Sequence, residues 1–286
     1  MPLAWFCSDL HGHIDRYDKL WKRLRQMPPD VLLLGGDLLP GGSALRHVHN
    51  PRYNDFVHDF LAKGFSKVRR ELAERYPLVL LIMGNDDPRF HESSLIEAGA
   101  GGLWTVLHER KLDALGYSFY GYPYVNPTPF MLKDWERWDV SRFVDVGAVP
   151  PTEGMRTVPA DPRQTDWHTI RRDLDALADD DLERAVFLFH APPYNTPLDR
   201  AALDGMMVDF APLDVHVGSI AIAEFIEKRQ PRVTLHGHIH EAVRLTGQWH
   251  ITTGRTHSFG AAHDGPELAL VAFSLDSPDN AARELL

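Results

Sequence analysis

The stretch WFCSDLHGHID, residues 5–15, sets Asp9, His11 and His13 directly behind an apolar run. Polar side chains crowded at the end of a buried strand cost solvation free energy unless something satisfies them, so either the chain turns into solvent there or a cation is held. The pattern recurs. Val31–Leu34 runs into Gly35-Gly36-Asp37, Leu78–Met83 into Gly84-Asn85-Asp86-Asp87, Val186–Phe189 into His190, and Val233–Leu235 into His236-Gly237-His238-Ile239-His240. Most of these runs, Leu3–Cys7 included, are hydrophobic at every position rather than alternately, as in strands buried on both faces. Amphipathic segments lie between them: Tyr17, Leu20, Trp21 and Leu24; Phe56, Phe60, Leu61, Val68 and Leu72; Trp167, Ile170, Leu174 and Leu177; Ile220, Ala223 and Ile226. Strand–helix alternation predicts a layered α/β fold, in which the carboxyl ends of parallel strands share one edge and form the site.

With 286 residues the chain can bury a large core, and 44% hydrophobic against 24% charged residues is ordinary for a soluble globular protein. The net charge of -10, with acids and bases interspersed, leaves no basic stripe for a nucleic-acid backbone and no polybasic anchor for anionic lipid. Duplex nucleic acid and membranes are therefore not expected partners. Cys7 is the only cysteine, so no intramolecular disulfide forms. The stretch MPLAWFCSDL has neither a basic n-region nor a long apolar run, and the expectation is a cytoplasmic protein.

Residues 121–162 break the rhythm, being rich in Pro and aromatics (GYPYVNPTPFMLKDWERWDV, then VGAVPPTEG). Phe130, Trp135, Trp138 and Phe143 are too apolar for a free linker, which predicts an ordered excursion over the surface, of the kind that roofs a site. QWHITTG and ELALVAFSL read as a pair of strands finishing a sheet. No repeat or linker divides the chain, so residues 1–286 are expected to form a single domain.

The strand ends deliver Asp9, His11, Asp37, Asn85, His190, His238 and His240. This mixture of carboxylate, imidazole and amide suits divalent Mn, Fe, Zn or Co and lacks soft thiolates. Seven ligands are too many for one tetrahedral ion. Two ions about 3.5–4 Å apart, sharing one carboxylate, would use all seven and still leave room for water and substrate, an arrangement that clamps an in-line displacement at phosphorus. Asp37 is the natural bridge because its two oxygens can face different ions.

The set SDLHGH, GGD, GND, FLFHAPP and GHIH, in that order, resembles the calcineurin-like metallophosphoesterase superfamily, whose pattern is D-x-H, G-D-x-x, G-N-H-[ED], H and G-H-x-H. The resemblance spans about Phe6 to His240. It implies a four-layer α/β sandwich with two mixed β-sheets. It also implies one ion on Asp9, His11, Asp37 and His240, and another on Asp37, Asn85, His190 and His238. HAPPYNTPLD, DVHVGSIAIAEFIEKRQP and HGHIHEA look like a prokaryotic branch of that superfamily, similar to brain-type members that act as cyclic-nucleotide phosphodiesterases. The function implied is hydrolysis of a small-molecule phosphate ester, a diester rather than a monoester, by a hydroxide shared between two divalent metal ions, Mn favoured. A metal-binding interaction scaffold without catalysis is the alternative reading, and a metal-dependent nuclease fits the chemistry but not the acidic balance.

One position departs from the pattern. Asp86 stands where the family has a histidine thought to protonate the leaving group, and an aspartate beside two dications is ionised and a poor acid. Asp86 is thus the candidate catalytic residue of altered role, with His91 as an alternative proton source. His13 and His236 flank the ligands and are expected to orient them through hydrogen bonds. His47, His49, His58, His108, His168 and His250 have no such context. Tyr194 and Asn195 follow His190 closely enough to line a pocket, Arg255 in TTGRTHSFG suits either a phosphate or a salt bridge, and Trp135 and Trp138 are expected to pin the excursion to the body.

Overall fold

In the computed structural model, which describes residues 1–41, 55–179 and 181–286, the apolar runs become the strands of two six-stranded sheets. β1 (Leu3–Cys7), β2 (Val31–Gly35), β3 (Leu78–Ile82) and β4 (Thr105–Val106) lie parallel in that order. The chain then crosses to the second sheet. There β5 (Arg110–Ala114) and β6 (Tyr117–Tyr122) make a hairpin, and β7 (Ala185–Phe189) joins β6 in parallel. A small ribbon of β8 (Met207–Val208) and β9 (Ala211–Pro212) precedes β10 (Val233–His236), which lies between β7 and β12 (Thr256–Gly260), parallel to both; β11 (His250–Thr253) closes that edge. β13 (Ala269–Ser274) returns to the first sheet antiparallel to β1, and β14 (Ala282–Leu285) pairs outside it.

Side chains pointing inward from both sheets form one core: Ala4, Phe6, Leu33, Leu80 and Ile82 meet Phe119, Val186, Leu188, Val233, Leu235 and Phe259. The alternate positions, among them Trp5, Leu32, Leu34, Leu81, Phe187 and Phe189, pack outward under helices. On the first sheet these are α1 (Ile14–Gln26), α2 (Lys63–Leu72, continuing a π-helical turn at Phe56–Ala62) and α3 (Glu92–Gly99). After the short α4 (Pro162–Trp167), α5 (Ile170–Leu177) and α6 (Ile220–Arg229) cover the second sheet, and α7 (Ala242–Thr246) follows His238 and His240. The result is the expected four-layer α/β sandwich with two mixed sheets, and strands apolar on both faces are what two covered sheets require. Among the described residues no helix is long and apolar enough to cross a membrane.

Three local expectations are corrected. QWHITTG and ELALVAFSL do not pair with each other, because β11 closes one sheet while β13 sits beside β1 in the other. Trp167 is not on the buried face of α5: it ends α4 and is 62% exposed, since the chain breaks helix before Thr169, which caps α5 through its side chain. The buried face of α6 is Ala221, Ile222, Phe225 and Ile226, so Ile226 is buried as expected while Ile220 and Ala223 are only partly buried.

In the excursion Trp135 and Trp138 are buried, whereas Phe130 and Phe143 are exposed. Each indole is tied down: Trp135 Nε1 donates to the Asp87 carbonyl at 2.9 Å and Trp138 Nε1 to that of Thr165 at 2.9 Å. Asp139 accepts from the backbone N–H groups of Ile220 and Ala221, so the excursion also caps α6. His47 and His49 lie outside the described residues.

Candidate metal centre

The loops after β1 and β2 are zipped to each other by backbone hydrogen bonds: Asp9 N–H donates to Gly36 O at 3.0 Å, His11 N–H to Asp37 O at 2.7 Å and Gly12 N–H to Leu38 O at 2.9 Å. The backbone here is unusual. Asp9 (φ 58), His11 (φ 47), Asp37 (φ 51) and His238 (φ 73) all occupy the left-handed region, which disfavours side-chain-bearing residues. Such strain persists where the surroundings enforce it, and it falls here on four of the candidate ligands, in the loops at the strand ends. Gly36 (φ 94) has to be glycine, because a Cβ there would stand 2.7 Å from His190 Nδ1 and 2.9 Å from Gly84 Cα.

Four of the seven expected residues form one tight cluster, and Asn85, His190 and His238 lie beside it. Ligand atoms of Asp9, His11, Asp37 and His240 lie within 4.8 Å of one another. His11 Nε2 and His240 Nε2 face each other at 3.0 Å, and His240 Nε2 is 3.3 Å from Asp9 Oδ1. Asp37 Oδ2 is 3.7 Å from His11 Nε2 and 3.3 Å from His190 Nε2, which sets this carboxylate between two groups of residues. Asn85 Oδ1 is 3.0 Å from His190 Nε2. The His190 Nδ1 atom lies 2.8 Å from the Gly35 carbonyl, which must accept a proton from it, leaving Nε2 as the ligating nitrogen. His238 donates its backbone N–H to Asp9 Oδ1 at 3.0 Å, and its ring centroid is 5.3 Å from that of His190.

Two features fit a cation better than hydrogen bonding. Asp9 Oδ2 is buried without a hydrogen-bond partner, and a buried unpaired carboxylate oxygen is costly. Two imidazole nitrogens 3.0 Å apart need a shared proton or a shared ion. Without an ion, protons take that place. Burial alone would lower the His11 pKa, but the Asp86 hydrogen bond and the charges of Asp37 and Asp9 carry it up to about 9. At His190 burial is likewise overcome by the charge and hydrogen bond of Asp37, and the pKa rises to about 10. Asp9, although fully buried, is held far below the usual carboxylate range by the hydrogen bond and charge of His240 and the charges of His190 and His11. His238 is pushed down to about 3 by burial and the neighbouring His190 charge.

Asp86 sits at the rim with its carboxylate 3.5 Å from His11 Nδ1, and its backbone N–H donates to Asp37 Oδ1 at 2.8 Å. His236 is buried behind the centre, its Nδ1 on the Ala191 carbonyl at 2.8 Å and its ring stacked on Phe189, so it braces the backbone after His190 rather than a ligand side chain. His13 is the N-cap residue of α1 and makes no capping hydrogen bond. Arg255 is tied to the end of α6 through the Gln230 carbonyl, at the amino end of β12 and away from the ligand-bearing edge. Tyr194 donates to Asp214 at 2.7 Å, and the His91 ring lies tilted against that of Phe90, 3.8 Å between centroids.

Sequence reasoning missed three residues. Asp87 is fully buried and accepts backbone N–H groups of Leu38 (3.0 Å), Leu39 (2.7 Å) and Gly84 (3.0 Å), locking the loop after β2 to the loop after β3. Burial, with the charge of Asp37, pushes its pKa up to about 7 despite those donors. Its signal was the acidic position that closes the G-N-H-[ED] pattern. Arg16, also buried, donates to the Asp9 carbonyl at 2.5 Å. His108 reaches the Met83 N–H at 2.9 Å and lies 2.6 Å from Glu92, bracing the end of β3. Neither of these two had a sequence signal, because their partners are backbone atoms or distant in the chain.

Comparison with known proteins gives the family and the fold. The family model described as calcineurin-like phosphoesterase matches residues 3–242. No curated protein is significantly similar in sequence. A solved crystal structure shares 18% identity at a TM-score of 0.60, covering 100% of this chain and 99% of its own. The crystal structure of TT1561 of Thermus thermophilus shares 16% identity at 0.56, covering 99% of this chain and 98% of that one. A dimetal phosphatase from Danio rerio shares 13% identity at 0.52, covering 95% and 93%. At these identities the structural likeness carries the fold.

Proposed function

The chain belongs to the calcineurin-like phosphoesterase family, metal-dependent hydrolases of phosphate esters, and from that premise we propose that it is a dinuclear phosphodiesterase acting on a small-molecule ester. Asp9, His11, Asp37 and His240 would hold one ion, and Asp37, Asn85, His190 and His238 the other; the donor set accepts divalent Mn, Fe, Zn or Co, and Mn is the ion proposed. When bound, the ions would acidify a shared water and neutralise the phosphoryl oxygens. The observation that carries the reading is the buried Asp9 Oδ2 without a partner, facing a cluster in which two imidazole nitrogens meet at 3.0 Å.

The protein's own part is placement. Gly35 O fixes the His190 tautomer, and Asp87 joins the two loops that present Asp37 and Asn85. Asp86 acts here as a positioning residue: its carboxylate stands 3.5 Å from His11 Nδ1, where it favours the N–H on that atom and turns Nε2 inward. That role removes a proton donor from the leaving-group side, which favours diesters with good leaving groups over monoesters. Cys7, fully buried and with its thiol pKa pushed far up by burial, forms no bond that a reducing cytoplasm would threaten, and the cytoplasm is the proposed location. The single domain spanning residues 1–286 is part of the same proposal.

The test is hydrolysis by metal-stripped protein titrated with Mn2+, on bis(4-nitrophenyl) phosphate beside 4-nitrophenyl phosphate, with Asp86→His in parallel. Mn2+-dependent diester cleavage, and a gain in monoester turnover in Asp86→His, are expected. Stoichiometric metal binding with neither ester cleaved by either variant would contradict the proposal and favour a metal-binding scaffold.

A further inference from the structure

A groove of about 440 Å3 opens beside His11 and His240. One side is lined by His13, Asp15 and Arg16 at the start of α1, the other by His263 and Asp264 in the loop after β12. That loop is anchored rather than loose. The buried Arg16 guanidinium donates to the carbonyls of Gly265 at 2.6 Å and His263 at 3.4 Å as well as to that of Asp9, so the far wall is tied directly to the turn carrying the proposed ligands. Four imidazoles thus face one groove, and the metal centre uses only two of them. His263 Nε2 is 3.0 Å from Glu267 Oε2, which leaves Nδ1 for a ligand, and the His13 ring caps nothing. Among the described residues no Phe, Tyr or Trp lines the groove, and Pro266 is its one apolar side chain.

Resting on the dinuclear reading above, we propose that this groove is the subsite for the alcohol that stays esterified to phosphorus, that this alcohol is a small polyhydroxy compound, and that His13 and His263 select it. Imidazole nitrogens and the Asp15 carboxylate pair with hydroxyl groups, and a polar site of this kind rejects an analogue that leaves its groups unpaired. A planar aromatic group placed here finds no ring wall to stack on.

The experiment is calorimetric titration of the Mn2+-loaded full chain with inorganic phosphate, glycerol 3-phosphate and phenyl phosphate. Glycerol 3-phosphate is expected to bind about tenfold more tightly than the other two, the gain of one or two net hydrogen bonds. His263→Ala should bring it down to the level of inorganic phosphate, and His263→Gln should recover part of the gain. Equal binding of glycerol 3-phosphate and inorganic phosphate, tighter binding of phenyl phosphate, or an unchanged gain in His263→Ala would each overturn the subsite. Loss of inorganic phosphate binding in His263→Ala would do so too, by making the residue part of the metal framework. Failure of the unmodified chain to bind Mn2+, or of its loaded form to bind inorganic phosphate, would instead remove the dinuclear reading on which the subsite rests.

Discussion

Asp9, His11, Asp37 and His190 show most clearly how residues here are tuned by what surrounds them. In the metal-free protein His11 and His190 carry protons with pKa values raised to about 9 and 10, against about 6.5 in an unfolded chain. A raised folded pKa stabilises fully below about pH 6.5 and is lost as pH climbs through 9 and 10. The lowered pKa values of Asp9 and Asp37 contribute nothing new in that window, since both are ionised throughout it. Metal-free protein should therefore lose stability to urea between pH 6.5 and 10, while the Mn2+-loaded form, its imidazoles already deprotonated by the metal, should not. Parallel slopes for the two forms would count against the assignment. Asp87 provides a second residue-scale test. An amide at that position has one acceptor oxygen for three backbone donors, so Asp87→Asn should cost about 1–3 kcal/mol for each donor left unpaired, read by denaturant unfolding. The seven ligand candidates were legible because polar residues at five strand ends are improbable without a common cause. Asp87 had a signal in the acidic position of its motif that was passed over, whereas Arg16 had none, because main-chain partners leave no trace in a side-chain pattern.

Among the elements, the doubly buried strands were legible and the edges were not. β1, β2, β3 and β7 are apolar at consecutive positions because one face meets the opposite sheet and the other meets helices. β5 escaped notice because Arg110, Lys111 and Asp113 give it the polarity of an exposed edge. β11 (HITT) and β13 (ALVAFS) both read as strands yet lie in different sheets, since local pattern states that a strand exists and not where it pairs. The excursion behaves as its tryptophans suggested, with an internal prop as well. Lys133 Nζ sits 2.7 Å from Glu136 Oε2 with both side chains buried, and Thr128 supplies further hydrogen bonds. Removing one member leaves the other charge buried, so Glu136→Ala should cost about 3–5 kcal/mol, whereas Lys133→Met with Glu136→Leu should recover most of it. Equal losses in the single and double variants would show that the segment relies on something other than this pair.

For the molecule as a whole, two six-stranded sheets share one core, and β13 returns to the first sheet after the second is complete. Neither sheet can be removed without exposing the inner face of the other, so the chain should unfold as one unit. Calorimetry of metal-free protein is expected to show one transition, moved upward by Mn2+ because the ion binds the folded state alone. Two resolved transitions would divide the chain into separate domains. The layered α/β class followed from the sequence pattern itself, while the pairing of two sheets rested on the resemblance carried by five short motifs.

Native mass spectrometry of the chain saturated with Mn2+ counts the ions, and so tests whether seven side chains hold two of them through a shared Asp37. Two ions per chain, and none retained by Asp37→Ala, is the predicted result. A single ion in the unmodified chain, or an Asp37→Ala variant that keeps both, would contradict it.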